Sequence, residues 1–506
     1  MKRRLSMFVA IIMMFSLMLT GCGGNANKKK GDVVTIRAAF VENATVDYAS
    51  MPYWDKIEEE CGVRFEIEEM STEKISLMFT SGDFVDVLFG GGCTDSQIQL
   101  AANSGDVVEL TDELLSEHAP TWKKAFDENP DFFSAAKFDG NKLFSLPYIR
   151  TFDADRGVRD VWWINQTWLD ELNLSMPKTL NDFENILRAF KNNAGTGTIP
   201  ENVMPWYFCM NSIIGGQFDF LATFGLEAYD YTYMALDGNG TVVNYATDTR
   251  LKSAVQAMAS MYAEGLIAPE SLTENATQYS SRVQSGDTPY IGVCTSYTQP
   301  TEDYVPMTLF QSVEGVEPKI RQQPLGVTRN RMVLFETCEY PEKVLEVMEW
   351  IVQEENQIYT DFGNEGDGWD YDADADEFVL HVAEENYVTA GNAVPGLMDD
   401  RFNGRVVCDD DHVWAQRQKA IELYGDNRIE LSHIIPPMSF TSDAQEKADN
   451  YKLVIFQRYV NSKMNSWVSG AEEVTADWDE YVSQVKSLGL DAYIQIYQET
   501  YDNYAK

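Results

Sequence analysis

The segment 33–92 alternates between strand and helix patterns, and this alternation constrains the fold more than any other feature. Residues 33–40 are rich in strand formers, a helical pattern runs from Pro52 to Gly62, and apolar residues alternate over 63–67. A short helix near 74–79 and a third strand over 84–89 complete a βαβαβ unit. Strands that alternate with helices form a parallel sheet covered on both faces, so we predict an α/β fold.

In open parallel sheets, ligands bind beyond the carboxyl ends of the strands. Here those ends carry Glu42 and Asn43, and then the run Gly90-Gly91-Gly92 with Asp95 close by. The glycine run lacks both GxGxxG and GxxxxGK[ST], and no lysine follows nearby, so it is interpreted as a tight turn rather than a phosphate loop. Glu42 is therefore a candidate ligand-binding residue.

The amino terminus has the pattern of a secretory signal peptide. Three basic residues over 2–4 precede an apolar run from Met7 to Leu19, which is shorter than a permanent transmembrane helix usually is. The run ends Leu19-Thr20-Gly21-Cys22, which resembles the lipobox of bacterial lipoproteins. In that family the chain is cut before the cysteine, whose thiol carries a diacylglycerol. The resemblance implies a signal peptide over 1–21, lipidation with palmitate-type chains at Cys22, and a flexible spacer over 22–31.

Charge and cysteine usage exclude several classes of partner. The 506 residues include 39 Lys and Arg and 80 Asp and Glu, a formal charge of −41. Without Lys2, Arg3 and Arg4 the charge becomes −44, which disfavours binding to nucleic acid and to anionic lipid.

The six cysteines after Cys22 form no CxxC pair, so binding of a metal through thiolates is not expected. We interpret them as buried thiols, and the alternative of three disulfides stays open.

No motif predicts catalysis, a metal or a cofactor. GxSxG, HExxH and catalytic-cysteine signatures are absent, and the 80 acidic residues single out no glycosidase pair. A calcium loop starting at Asp370 would place His381 at its twelfth position, and one starting at Asp237 would have Val242 in place of glycine. The acidic run from Asp361 to Glu377 is therefore interpreted as a solvated loop.

Several stretches, in the expected order along the mature chain, resemble the extracellular solute-binding proteins of bacterial ABC transporters. The resemblance is to the family 1 type, in the large lipoprotein subfamily that serves oligosaccharide uptake. The matching stretches are Met78–Val87 (MFTSGDFVDV), Gly140–Tyr148 (GNKLFSLPY), Trp168–Leu174 (WLDELNL), Gly265–Glu270 (GLIAPE), Phe362–Gly366 (FGNEG), Asp477–Tyr481 (DWDEY) and Tyr497–Asp502 (YQETYD).

The resemblance implies two α/β lobes joined by crossing strands, the periplasmic-binding-protein-like fold, with the solute bound in an interlobe cleft on which the lobes close. On this basis we expect lobe 1 to comprise 32–150 and 291–340, and lobe 2 to comprise 151–290 and 341–506. The chain departs from the family pattern at Val85, where proline is usual, at Asn165, where a basic residue is frequent, and at Thr167, where an acid is frequent.

Candidate ligand-binding residues follow from what a sugar cleft needs. Aromatic faces cover the C–H side of pyranose rings, and fixed polar groups bind the hydroxyls. Trp162 and Trp163 are strand neighbours and point to opposite faces, so one of them can reach the cleft, and we select Trp163. The full candidate set is Glu42, Asp86, Tyr148, Trp163, Asn165, Trp206, Tyr297 and Trp369, with Asp86 included because the family pattern places an acid near the cleft.

The sequence thus predicts a monomeric, lipid-anchored protein on the extracytoplasmic face of a bacterial cell membrane. Its expected function is to capture an oligosaccharide and deliver it to an ABC transporter permease, without enzymatic activity and without a cofactor or metal. Three alternatives stay open: a secreted glycosidase or lyase, a peptide-binding transporter component, and a surface adhesin with a flat interface.

Overall fold

A computed structural model describes residues 33–43, 46–151, 157–284, 290–324, 326–381, 389–409 and 413–504. The predicted signal peptide, Cys22 and the spacer lie outside the described residues. The strands are β1 (Val34–Val41), β2 (Val63–Met70), β3 (Val87–Phe89), β4 (Leu146–Arg150), β5 (Val161–Asn165), β6 (Met204–Trp206), β7 (Met234–Leu236), β8 (Val242–Asn244), β9 (Ile291–Ser296), β10 (Tyr304–Pro306), β11 (Val327–Leu334), β12 (Trp369–Asp372), β13 (Glu377–Leu380), β14 (Gly396–Met398) and β15 (Val406–Cys408).

Helices cover the sheets and form most of the carboxyl-terminal part. They are α1 (Tyr53–Cys61), α2 (Thr72–Ser81), α3 (Asp95–Ser104), α4 (Asp112–His118), α5 (Pro120–Glu128), α6 (Pro130–Ala136), α7 (Gln166–Glu171), α8 (Leu180–Asn192), α9 (Phe218–Ala222), α10 (Thr249–Ala263), α11 (Ala276–Val283), α12 (Pro341–Ile351), α13 (Glu354–Phe362), α14 (Val413–Tyr424), α15 (Ser442–Tyr451), α16 (Asn461–Val468), α17 (Val474–Ser487) and α18 (Leu490–Tyr504). A π-helix, Lys452–Val460, joins α15 to α16.

Lobe 1 is built on the sheet β14-β4-β11-β3-β1-β2. β1 pairs in parallel with β2 and β3, as the alternating pattern predicts, and β11 runs antiparallel between β3 and β4. Two hydrophobic clusters of this lobe each combine residues of the sheet with residues of the helices. The predicted α/β class is therefore confirmed for this lobe.

Glycines form the turns that close the first elements of lobe 1. Gly62 ends α1 in the left-handed conformation, with φ of 69°. Gly90, Gly91 and Gly92 all have φ between 78° and 86°. A Cβ at Gly92 would lie 2.7 Å from the Ile75 side chain, so the glycine run is needed for a close turn against α2.

Lobe 2 is built on the sheet β10-β5-β9-β6. β5 is an interior strand, antiparallel to both β10 and β9. Its hydrophobic core joins β5, β6 and β9 to α8, α10 and the carboxyl-terminal helices from α14 onward. The two lobes thus have separate hydrophobic cores, each with its own sheet.

In the middle of the chain, the strand pairing and core packing divide the elements differently from the expected lobe boundaries. β9 and β10, expected in lobe 1, pair with β5 in lobe 2. α12, expected in lobe 2, packs its buried face into the core of lobe 1, and β14 extends the sheet of lobe 1 beside β4. An apolar strand such as β9 can join either sheet, and only its long-range pairing decides which.

Among the elements that the structure describes, consecutive elements change lobe at three places. The first passage, between β4 and β5, lies next to the expected lobe boundary after residue 150. The second lies between Ile320 and β11, and the third between β15 and α14, whereas the expected boundaries follow residues 290 and 340. The first two are paired with each other, since Val158 and Gln322 form an antiparallel bridge and the Arg159 amide donates to the Arg321 carbonyl at 3.0 Å.

A buried ion cluster lies beside these paired connections. Arg321, fully buried, donates to both carboxylate oxygens of Asp219, at 2.8 and 2.6 Å, and to Asp160 at 3.1 Å. Its remaining nitrogen donates to the carbonyls of Ile213 and Tyr229. Burial opposes the charge, but the two carboxylates outweigh it and raise the pKa of Arg321. The cluster fixes the second connection against lobe 2.

The helices and the cysteines of the described residues can be compared with the sequence predictions. Within the described part of the chain, no helix is long and apolar enough to cross a membrane. The six cysteines that the structure describes are free thiols: Cys209, Cys294 and Cys338 are buried, and Cys61, Cys93 and Cys408 are partly buried.

Candidate functional site

A cavity of about 800 Å³ lies between the two lobes, where the first and second connections meet. Lobe 1 contributes the ends of β4 and α13, and lobe 2 contributes α11 and the end of β9. The paired connections supply residues such as Gly157, Arg159, Gln322 and Gln323. The cavity volume is within the range of small-molecule sites, about 300–1,000 Å³.

The wall from lobe 1 combines an aromatic ring with a buried carboxylate. The Tyr148 hydroxyl donates to Asp361 Oδ1 at 2.7 Å, and Gln357 Nε2 donates to Oδ2 at 2.7 Å. Burial raises the pKa of Asp361 above its usual value, although Arg150, Tyr148 and Gln357 oppose this effect. Gln357 is itself fixed by the Leu397 amide. The group is therefore held in one orientation before any ligand binds.

The wall from lobe 2 carries two tyrosines. The Tyr279 hydroxyl donates to the Thr295 carbonyl at 2.7 Å, and its ring contacts Tyr207, with ring centroids 4.8 Å apart. Tyr297 follows β9 and stays 37% exposed while it lines the cavity. With Phe362 from lobe 1, these rings give the cavity apolar faces on both sides. Such a mixture of flat rings and fixed polar groups suits a polar organic solute.

Of the eight predicted ligand-binding residues, Tyr148 and Tyr297 line this cavity, from opposite lobes. Both lie near expected lobe boundaries, after residues 150 and 290. In the structure Tyr148 belongs to β4 of lobe 1, and Tyr297 follows β9 of lobe 2. The structure thus brings these two residues to one site.

The three predicted tryptophans do not line the cavity. Trp163 is fully buried, and its indole nitrogen donates to the Ser296 carbonyl at 3.1 Å. Trp206 packs in the core of lobe 2 against a group of rings, namely Trp162, Phe183, Phe208 and Phe220. Trp369 is 5% exposed, contacts Phe378 and donates to the Gly363 carbonyl. The loops and strand faces that carry these three tryptophans are covered by other elements, so the structure places them outside the cavity.

The three predicted polar residues also lie elsewhere. Asp86 precedes β3, at the edge away from the carboxyl end of the strand, and its carboxylate accepts from both the backbone amide and the guanidinium of Arg37 at 2.8 Å. Asn165 is buried and caps α7 by accepting from the Trp168 amide at 3.0 Å. Glu42 follows β1 at an exposed position outside the cavity. Each has a local structural role or an exposed position instead of a place in the cleft.

Sequence reasoning missed most of the polar lining. The missed residues include Arg150, Arg159, Gln322, Asp361 and Asn392. Asp361 was assigned to a solvated acidic run, although the stretch that begins at Phe362 was among those that resemble the family. Its position as the penultimate residue of α13 was a usable signal, because a helix end adjoining an irregular segment often faces a cleft.

The rest of the acidic run forms a β-hairpin, β12–β13, with His381 just beyond it. The His381 ring lies between two carboxylates: Nδ1 is 2.8 Å from Asp409 and Nε2 is 3.0 Å from Asp370. Among the residues that the structure describes, no group of three or more His, Cys, Asp or Glu is arranged to hold a metal ion. The hydrogen bonds to Asp409 and Asp370 raise the pKa of His381.

Replacing His381 with glutamine should destabilise the protein in acid more than in alkali. Because the folded pKa is raised, the contribution of His381 is fully present below the unfolded value of about 6.5 and is lost as the pH rises through the folded value. Melting temperatures of the two proteins should therefore differ more at about pH 5.5 than at about pH 9. The control compares His381 with glutamine on a background that carries Asp409→Asn and Asp370→Asn. The same pH-dependent difference in melting temperature on that background would contradict this explanation.

Two α/β lobes joined by paired connections, with a cavity between them, define a class of proteins that bind a solute in an interlobe cleft. The family model of the bacterial extracellular solute-binding proteins matches residues 25–358, and the chain belongs to this family.

Known proteins resemble the chain over most of its length. The fructooligosaccharide ABC transporter substrate-binding protein FusA of Streptococcus pneumoniae serotype 4 is 23% identical over 475 residues, which cover 89% of this chain and 86% of FusA. The structure of FusA in complex with kestose superimposes with a TM-score of 0.80 at 20% identity, covering 93% of this chain and 99% of FusA. A protein of Bifidobacterium longum infantis described as an "HMO binding ABC-transporter associated Solute Binding Protein" gives a TM-score of 0.79 at 21% identity, with 93% of this chain and 99% of that protein covered.

Proposed function

We propose that this protein is a lipid-anchored extracytoplasmic solute-binding protein that captures an oligosaccharide between its lobes and delivers it to an ABC transporter permease. The observation that carries the proposal is the interlobe cavity of about 800 Å³ with rings and fixed polar groups on both walls. We further propose that Tyr148 and Tyr297 contact the ligand, and that Asp361 and Arg150 bind its hydroxyl groups.

Names of the relatives support an oligosaccharide as the ligand. FusA is named for fructooligosaccharides and was solved with kestose, and the Bifidobacterium protein is described as binding human milk oligosaccharides. These statements concern those proteins, at 20–23% identity. The rings and hydroxyl-binding groups of this cavity have the chemistry that such ligands need, independently of the likeness.

We propose that the protein binds its sugar without cleaving it. Glycoside hydrolysis commonly uses two carboxylates on either side of the scissile bond. Among the described residues that line the cavity, Asp361 is the single carboxylate. Tyr148 and Gln357 hold this carboxylate at the wall, and none of the other described lining residues is an acid.

Isothermal calorimetry of the chain from residue 23 onward, with kestose and with milk oligosaccharides, tests the proposal. Binding should be abolished or strongly weakened in Tyr297→Ala and unchanged in Tyr340→Ala, because Tyr340 is similarly exposed, at 38%, but lies outside the cavity. Ligand at about 100 times its dissociation constant should stabilise the fold by about 2.7 kcal/mol. Recovery of the sugar as cleavage products would show a hydrolase, and stabilisation by peptides alone would show a peptide carrier.

Replacing Cys22 with alanine should leave the precursor without its lipid anchor. The thiol of Cys22 is the attachment point that the lipobox resemblance implies, and no neighbouring residue offers another. Cells fed with labelled palmitate should label the wild-type protein and leave the variant unlabelled and released from the membrane fraction. Label that persists in the variant would contradict the proposed anchor.

A further inference from the structure

Arg417 is a buried arginine of lobe 2 that stacks on a cavity-lining ring. It lies on α14, the first helix after the third connection, and is 2% exposed. Its guanidinium carbon is 3.7 Å from the centroid of the Tyr297 ring. This distance is that of direct contact between a cation and an aromatic face. One face of Tyr297 is therefore covered by Arg417, and the exposed part of the ring lines the cavity.

The guanidinium is held by backbone groups on two separate segments. Nη1 donates to the carbonyl of Tyr297 itself at 3.0 Å, and Nη2 donates to the carbonyl of Val158. Val158 belongs to the first interlobe connection and bridges to Gln322 in the second. The same side chain thus contacts the ring, its backbone and the connection between the lobes.

The chemistry of this position favours arginine specifically. Burial lowers the pKa of Arg417, whereas Tyr297 and Asp160 act in the opposite direction. A planar guanidinium can stack on a ring and still donate in its own plane to two carbonyls. A lysine ammonium can keep the charge but has no flat face and no fixed fork of donors.

We infer that Arg417 is a positioning residue that fixes the Tyr297 ring as the platform for the ligand. The inference rests on the proposed function, because the platform has a purpose only if a solute packs on it. Arg417 itself is buried behind the ring and does not line the cavity. It acts by holding the plane and the backbone of Tyr297 while it joins this ring to the interlobe connection.

Calorimetry on a double-mutant cycle of Arg417→Lys and Tyr297→Leu tests the inference with kestose as probe. Arg417→Lys should weaken binding about tenfold when Tyr297 is present and by little when it is leucine. Arg405→Lys is the matched control, because Arg405 stacks on Phe378 at 5.3 Å outside the cavity and should leave affinity unchanged. Equal losses on both backgrounds, or wild-type affinity of Arg417→Lys, would overturn the inference.

A second readout needs no ligand. In protein labelled with 3-fluorotyrosine, the ¹⁹F signal assigned by Tyr297→Phe should shift or broaden in Arg417→Lys, while the melting temperature shows that the variant is folded. An unchanged Tyr297 signal would overturn the positioning role whatever the protein binds. If the Tyr297 signal changes but the protein binds no oligosaccharide, the positioning role of Arg417 stands and the proposed ligand is refuted.

Discussion

Replacing Arg321 with methionine should lower the free energy of unfolding by about 3–5 kcal/mol, because removal of one partner leaves buried charges uncompensated. Asp219 and Asp160 are both fully buried and share this one guanidinium, and Asp160 has Arg159 as a second partner. Denaturant titration followed by fluorescence measures the change. The loss should be smaller at acid pH, because burial raises the pKa of Asp219 and protonation removes the charge that the variant leaves unpaired.

The matched control for Arg321 is an arginine in an exposed ion pair. Arg64 bonds Glu58 through two nitrogens at 2.7 Å, on the surface of lobe 1. Exposed ion pairs are screened by solvent and contribute little, so Arg64→Met should leave the denaturation midpoint nearly unchanged. Similar losses for the two variants would contradict the importance given to the buried cluster beside the connections.

Trp206→Ala should cost about 3–5 kcal/mol of folding stability, the usual range for removing a large ring from a core. Trp206 is 1% exposed and contacts the rings of Trp162, Phe183, Phe208 and Phe220. The expected signature is a lower melting temperature without ligand and normal affinity of the folded fraction by calorimetry. The cavity itself should keep its shape, because Trp206 does not line it.

Trp350→Ala provides the comparison for Trp206. Trp350 is partly exposed on α12, and its indole nitrogen donates to Glu60 at 2.8 Å. Its loss should cost clearly less than the loss of Trp206 because less surface leaves water on folding. If Trp206→Ala kept its stability and lost ligand binding, the original assignment of Trp206 to the cleft would be restored.

Local patterns predicted the elements well where one sequence signal determined each boundary. The helical pattern from Pro52 to Gly62 became α1, and Gly62 ends this helix in the left-handed conformation. The strand pattern of 63–67 became β2 in parallel register with β1. These features depend on a few neighbouring residues, so the sequence carries them directly.

Assignments that depend on distant pairing could not be obtained in this way. β5 is an interior strand, and both of its tryptophans, Trp162 and Trp163, are buried because both faces of the sheet are covered. The expectation that one would reach the cleft assumed a sheet with one free face. Likewise, the apolar pattern of β9 predicts a strand and carries no information on which lobe it joins.

The candidate site was predicted as a location more than as a set of residues. The resemblance placed it between two lobes, and two tyrosines near expected crossings do line the cavity. Asp361 was missed because acidic residues in a run are typical of solvated loops. Its carboxylate is instead bonded to Gln357, one turn earlier on α13, and to Tyr148 on the distant strand β4. Contacts between segments that are far apart in the chain leave no periodic trace in the sequence.

The pairing of the first two interlobe connections has a mechanical consequence. Val158 bridges to Gln322, and the amide of Arg159 donates to the carbonyl of Arg321, so the two segments are joined as a short antiparallel ribbon. Sliding of one segment along the other would break the hydrogen bonds between them. Any displacement of one lobe relative to the other therefore has to move both connections together, as a single coupled strap.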